Sequence, residues 1–211
     1  MKKFLAYIVL ILFSFKLHAQ QAKVDSLYKE YTKATVDTTK INILIGIATA
    51  YGEGEMAKGI GFVREALELS ERIHFEKGIC LSNMILGDYH AEKLNYSEAL
   101  KHYLKASVVG EKNKMYNSLS SCYNRIGIIY SNQKKNELSM KYFLKVADIA
   151  LLQDKPIRYA IACNNIGIAY KDLGRYQDAK KYYTLALAQF EKSDFKRGIA
   201  SVNNGLGTIS D

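Results

Sequence analysis

Apolar residues recur along this chain at the three-and-four spacing of one helix face, in stretches of about 16 residues broken by short polar runs. Within the pairs the breaks read "LNYS", "QKKN" and "LGRY"; between pairs they read "NKMY", "QDKP" and "KSDF". Such a pattern predicts helices joined by tight turns, two to a hairpin, with the one proline, Pro156, at a helix start where its missing N–H is tolerated.

The hairpins repeat. "LGDYHAEKLNYSEALKHYLKA" from Leu86, "IGIIYSNQKKNELSMKYFLKV" from Ile126 and "IGIAYKDLGRYQDAKKYYTLA" from Ile166 align without a gap. Gly87, Gly127, Gly167 and Gly207 fall 40 residues apart, and His90, Tyr130, Tyr170 and Ser210 follow three positions later. In the second stretch of each unit come Ala99, Ser139 and Ala179, then the rings Tyr103, Phe143 and Tyr183, then Ala106, Val146 and Ala186. The link "FEKGI" at Phe75 returns as "FKRGI" at Phe195. A glycine inside a helix costs about 1 kcal/mol relative to alanine, so its recurrence implies a place where a side chain would obstruct the partner helix. The small residue and the ring of the second helix would fill the facing hole, large against small.

With Leu-Gly-x-x-Tyr in the first helix and Ala, aromatic, Ala in the second, these residues resemble the tetratricopeptide repeat, in a 40-residue variant covering Ile41 to Asp211. The resemblance implies an all-α, right-handed superhelical solenoid of antiparallel helix pairs. Residues 41–211 would hold four pairs and one unpaired C-terminal helix. The first pair, "INILIGIATAYGEGEMAKGIGFVREALELSE", departs from the pattern: Ala48 replaces the glycine, and Gly59, Val63 and Ala66 follow a turn one residue shorter. Ahead of it, residues 20–40 read as a capping helix, with Val24, Leu27, Tyr28 and Tyr31 on one side, and a lead-in. "FKRGIASVNNGLGTISD" reads as the first helix of a fifth pair. Two readings stand: a chain cut short, or a polar helix that caps the stack.

Residues 1–19 look like a secretory signal: Lys2 and Lys3 precede twelve apolar residues, Phe4 to Phe15, and Ala19 offers a small residue for cleavage. Twelve is short of the roughly 20 that span a bilayer. An exported protein of a bacterium, periplasmic or secreted, is expected, without a membrane span in the mature chain. The formal charge is +9, and loss of Lys2, Lys3 and Lys16 with the leader would leave +6. Interleaved with acids, that charge fits a solvated surface rather than a nucleic-acid footprint, which needs a clustered stripe.

The sequence holds no recognisable catalytic or metal-binding signature. Cys80, Cys122 and Cys163 lie seven, five and four residues before their register glycines, so they do not face one way. A Cys122–Cys163 bridge and a role as small buried hydrophobes are the alternatives. His74, His90 and His102 have no ligand spacing, and "YGEGEMAKGIG" lacks both phosphate-binding fingerprints and reads as a turn. Neither an enzyme nor a cofactor is expected.

One polar ladder stands out. Asn124, Asn164 and Asn204 each precede a register glycine by three residues, with Arg125 and Asn165 next to them and Lys171 one turn beyond. The family resemblance implies that first helices line a concave groove and that residues near this position contact an extended peptide. An amide both donates to and accepts from a peptide backbone. It could equally bond a neighbouring helix and hold the stack in register. The function expected is therefore an extracytoplasmic scaffold that binds a protein or peptide. The alternative is the sensory region of a signalling protein, a sensor histidine kinase or transcriptional regulator, since the arrangement also looks like the repeat region of bacterial sensors.

Overall fold

The structure is a computed structural model that describes residues 2–52 and 55–209; the side chains of residues 2–17 and of Met56 lie outside that description. Outside it too are Glu53 and Gly54 of the glycine-rich run expected as a turn, Ser210 of the register and the leader side chains. Among the described residues there are ten helices and no strand: α1 (Lys2–Lys33), α2 (Asp37–Tyr51), α3 (Met56–Arg72), α4 (Glu76–Glu92), α5 (Tyr96–Lys112), α6 (Tyr116–Asn132), α7 (Asn136–Leu152), α8 (Pro156–Asp172), α9 (Tyr176–Lys192) and α10 (Lys196–Gly207). Helices α3 to α9 are each 17 residues long. Three-residue links join them, so the backbone repeats every 20 residues although the side chains repeat every 40.

The uniform link has one backbone form. Its middle residue takes the left-handed conformation at His74, Leu94, Lys114, Lys134, Asp154, Gly174 and Asp194. At each link two backbone bonds close the preceding helix; at the first, Phe75 N–H donates to the Ser70 carbonyl at 2.8 Å and His74 N–H to that of Glu71 at 3.2 Å. This is the Schellman closure, which satisfies carbonyls that a helix end leaves orphaned. Glycine is its usual residue, yet it stands here only at Gly174; the other six positions tolerate a strained side chain.

Two compact units divide the chain, residues 1–99 and 100–211. In the first, α1 packs on α2, α2 on α3 and α3 on α4, with α2 also meeting α4. Val24 of α1 is buried with Ile43 and Ile47 of α2, and Leu27 and Tyr31 pack against them. The helix that opens the first pair starts at Asp37, so the end of the expected lead-in is already helical. In the second unit each helix from α6 to α10 packs on the next, and α8 also meets α10. Both units are therefore built from antiparallel helix pairs stacked in order, an all-α solenoid architecture.

The register residues form the core. Ala99, Ala106, Ser139, Ala179, Ala186 and Tyr183 are fully enclosed, and Tyr103, Phe143 and Val146 nearly so. A Cβ on Gly127 would lie 2.7 Å from the Phe143 ring, and one on Gly167 would lie 2.7 Å from that of Tyr183. The register glycine thus makes room for the ring of its own hairpin. Tyr183 reaches further: a Cβ on Gly205 in the next first helix would meet its Cζ at 2.6 Å. Enclosing each ring contributes about 1.5–3 kcal/mol. All three cysteines are buried thiols, as small hydrophobes are; no disulfide joins Cys122 to Cys163.

Candidate peptide-binding face

The six polar residues singled out by the sequence all lie on first helices of the second unit: Asn124 and Arg125 on α6, Asn164, Asn165 and Lys171 on α8, Asn204 on α10. Helical spacing puts Asn117, Ser121, Asn124 and Ile128 in one row of α6, and Ile157, Ile161, Asn164 and Lys171 in the matching row of α8. The two rows are tied together where Arg158 Nη1 donates to Asn117 Oδ1 at 3.0 Å.

The ladder is not uniform. Asn164 is 8% exposed, and its Nδ2 donates to Ser201 Oγ of α10 at 3.3 Å. Asn124 is half-buried and Asn204 exposed. Among the described residues the Oδ1 atoms of Asn124 and Asn164 are buried and accept no hydrogen bond. Reversing the Asn164 amide would not change this, because the Ser201 hydroxyl can donate as well as accept and would still serve one end only. Arg125, Asn165 and Lys171 are half-buried beside them. Asn164 therefore serves the stack at its amide nitrogen and leaves its oxygen unused, while Asn204 stands apart from both.

The sequence reading missed the apolar half of this face. Ile128 is 42% exposed and Ile161 38% exposed, each within one turn of a ladder asparagine. Reading the row that holds Ser121, Ile161 and Ser201, three residues ahead of each asparagine, would have revealed both the apolar site and the serine that engages Asn164. Acids are sparse: α6, α8 and α10 together hold one, Asp172, against the cations Arg125, Arg158, Lys171, Lys196 and Arg197, and Lys134 approaches Asp172 at 3.6 Å.

A tyrosine cluster backs the second unit. Tyr123 of α6 donates its hydroxyl to Glu111 Oε1. Lys145 Nζ donates to the Tyr123 oxygen at 3.2 Å. It also lies 4.4 Å above that ring and 3.7 Å from Glu111. Burial first, and then the bond to Glu111, pushes the Tyr123 phenol well above its ordinary value. Tyr130 stacks on Tyr142 and Tyr170 on Tyr182, with ring centroids 5.7 and 5.4 Å apart. Burial likewise pushes the Tyr159 and Tyr183 phenols up to about 12. Among the described residues no group of three or more His, Cys, Asp or Glu side chains could hold a metal ion, and no helix is long and apolar enough to cross a membrane.

Paired helices of equal length, closed by equal links and stacked first helix on first helix, define a helical-repeat solenoid. Residues 120–151 and 160–193 match family models described as tetratricopeptide repeat, so the chain carries tetratricopeptide repeats, which suggest a protein–protein interaction scaffold. Solved structures agree. BtubC (BKLC) from P. vanneervenii superposes with a TM-score of 0.73 over 93% of this chain and 85% of its own, at 15% identity. TPR-like repeats of a putative kinesin light chain from Podosopora anserina give 0.67 over 87% and 93%, at 12% identity. The N-terminal domain of stress-induced protein-1 (STI-1) from C. elegans gives 0.51 over 61% and 97%, at 16% identity. At such identities the likeness is one of fold. No curated protein matches this chain in sequence.

Proposed function

We propose that the protein is an exported scaffold that captures an extended polypeptide on the first-helix face of residues 116–207. The carrying observation is the pair of buried amide oxygens, Asn124 Oδ1 and Asn164 Oδ1, that accept no hydrogen bond among the described residues. A buried acceptor without a partner costs about 1–3 kcal/mol, a cost that a backbone N–H reaching either oxygen would offset. Ile128 and Ile161 beside them offer apolar contacts for side chains. Catalysis plays no part in this reading, and export rests on the leader, Lys2 to Ala19.

The test is isothermal titration of the protein with a peptide selected on it from a random-sequence library. Replacing both Asn124 and Asn164 by alanine is expected to weaken binding at least tenfold. Lost stability with unchanged affinity would show that the amides serve the stack alone. N-terminal sequencing of the protein recovered from cell fractions checks export: a mature start near Gln20 outside the cytoplasm is expected, and an intact Met1 in the cytoplasm would refute it.

A further inference from the structure

Gln20 and Gln21 stand side by side on α1 and are held differently. Gln21 turns along its own helix, where its Nε2 donates to Asp25 Oδ1 at 2.9 Å. Gln20 reaches across to the hairpin α2–α3, where its Nε2 donates to the Tyr51 carbonyl and to Glu55 Oε2, each at 2.8 Å. Tyr51 is the last residue of α2, and its carbonyl is one of those that a helix end leaves without a partner inside the helix. Gln20 therefore closes α2 from outside. Lys58 Nζ donates to the other oxygen of Glu55 at 2.8 Å and by that bond holds its carboxyl below the ordinary value, so the acceptor offered to Gln20 is ionised. Gln20 is half-buried and opens the row, continued by Val24, Leu27 and Tyr31, with which α1 packs on α2.

The same residue is where the mature chain would begin. Cleavage after Ala19 belongs to the export reading, on which this inference rests, and it turns Gln20 into an amino terminus. An amino-terminal glutamine is reactive. Its α-amino nitrogen attacks its own Cδ, the N–Cδ bond forms, the Cδ–Nε2 bond breaks, and Nε2 leaves as ammonia with a proton taken from the amine. The product is a five-membered lactam, pyroglutamate, which is neutral and lacks Nε2.

We infer that Gln20 is a modification site guarded by the fold: Tyr51 and Glu55 hold its amide against the hairpin α2–α3 and keep the mature terminus uncyclised, and detachment of α1 releases it to close irreversibly. Ring closure requires the side chain to fold back on its own amino group, giving up both hydrogen bonds, one of them to a carboxylate. Glu55 opposes closure in a second way. It stands one glutamine side chain away from the new ammonium and favours the charged form, whereas only the neutral amine attacks. That ammonium would also sit at the start of a helix, where a positive charge is unfavourable unless an acid lies near.

The test follows the mature protein, recovered from outside the cytoplasm, at constant temperature and pH. Peptide mass reads its amino terminus, where cyclisation appears as the loss of one ammonia. A synthetic peptide of residues 20–33 is the unguarded reference. The folded protein is expected to cyclise more slowly than the peptide by about tenfold or more. Unfolding it in guanidinium chloride should bring its rate to that of the peptide. Glu55→Ala should fall between the two, with circular dichroism confirming an intact fold. Equal rates in folded protein and peptide would overturn the inference, as would a terminus already cyclised on recovery or a rate that Glu55→Ala leaves unaltered. A mature start at Gln20 with any of those outcomes leaves the export reading standing and removes only the guard. A start at another residue would overturn the inference together with the cleavage site on which it rests.

Discussion

The hairpin α2–α3 and the hairpin α8–α9 solve one packing problem from opposite sides. In α8–α9 the first helix supplies Gly167, the second supplies Ala179, and the aromatic ring of Tyr183 fills the space over the glycine. In α2–α3 the small residues trade places: Ala48 sits in the first helix and Gly59 in the second, and Val63 replaces the ring, buried with Ala48 and Leu86. A Cβ on Gly59 would fall 2.9 Å from the Cα and the carbonyl oxygen of Ala48. In one hairpin the glycine admits a side chain; in the other it admits a backbone. Both hairpins therefore keep one glycine and one alanine at the crossing of the two helices, on either helix, not a glycine at a fixed place.

The sharpest way to break this comparison is Gly59→Ala. A backbone cannot rotate aside as a ring can, so the helices must separate, and a loss of about 1–3 kcal/mol is expected, read as a lower urea midpoint. Gly167→Ala is expected to cost less, because the Tyr183 ring, though enclosed, can tilt where a helix backbone cannot. Adding Tyr183→Val would recreate the alanine–valine arrangement of the first hairpin. The double variant should then lose less than the sum of its parts, by about 1 kcal/mol in a double-mutant cycle.

Tyr183→Phe sharpens the same point at smaller scale. The Tyr183 hydroxyl is buried and makes no hydrogen bond among the described residues, while Phe143 fills the same register position without one. The substitution is expected to stabilise by up to about 1 kcal/mol. It also changes the pH profile. The folded phenol is raised from 10.0 to about 12, so the fold favours the neutral form. That contribution is complete below pH 10 and is lost as pH rises from 10 through 12. Alkaline unfolding followed by circular dichroism should accordingly be less steep between pH 10 and 12 in Tyr183→Phe, and an unchanged profile would count against burial of this phenol. The smallest effects are expected at exposed sites. Leu94→Gly relieves a left-handed residue at φ 57°, for a gain of about 0.5–1 kcal/mol. Gly207→Ala meets no atom within 4 Å and should shift the melting temperature by no more than a degree or two.

Much of the architecture was legible because side-chain volume repeats. Gly127 with Phe143 and Gly167 with Tyr183 state the helix contact directly, and even the trade between Ala48 and Gly59 left a recognisable trace. The seven left-handed links were not legible: six use His, Leu, Lys or Asp where glycine is usual, so the turn type is imposed by the packing of the helices it joins. The early start of α2 is written in Asp37, an acid in its first turn. At the candidate site the sequence showed the asparagine register but not its environment. Asn164 is buried against Ser201 of α10, whereas Asn204 belongs to that last described helix and is exposed. A one-dimensional repeat marks equivalent positions and says nothing of which neighbours enclose them.

The most direct test of the account is hydrogen–deuterium exchange of the protein with and without a peptide selected on it from a random-sequence library. The account predicts slowed exchange concentrated in α6, α8 and α10, lost when Asn124 and Asn164 are replaced by alanine. Protection confined to the second helices α5, α7 and α9, or undiminished in that variant, would contradict it.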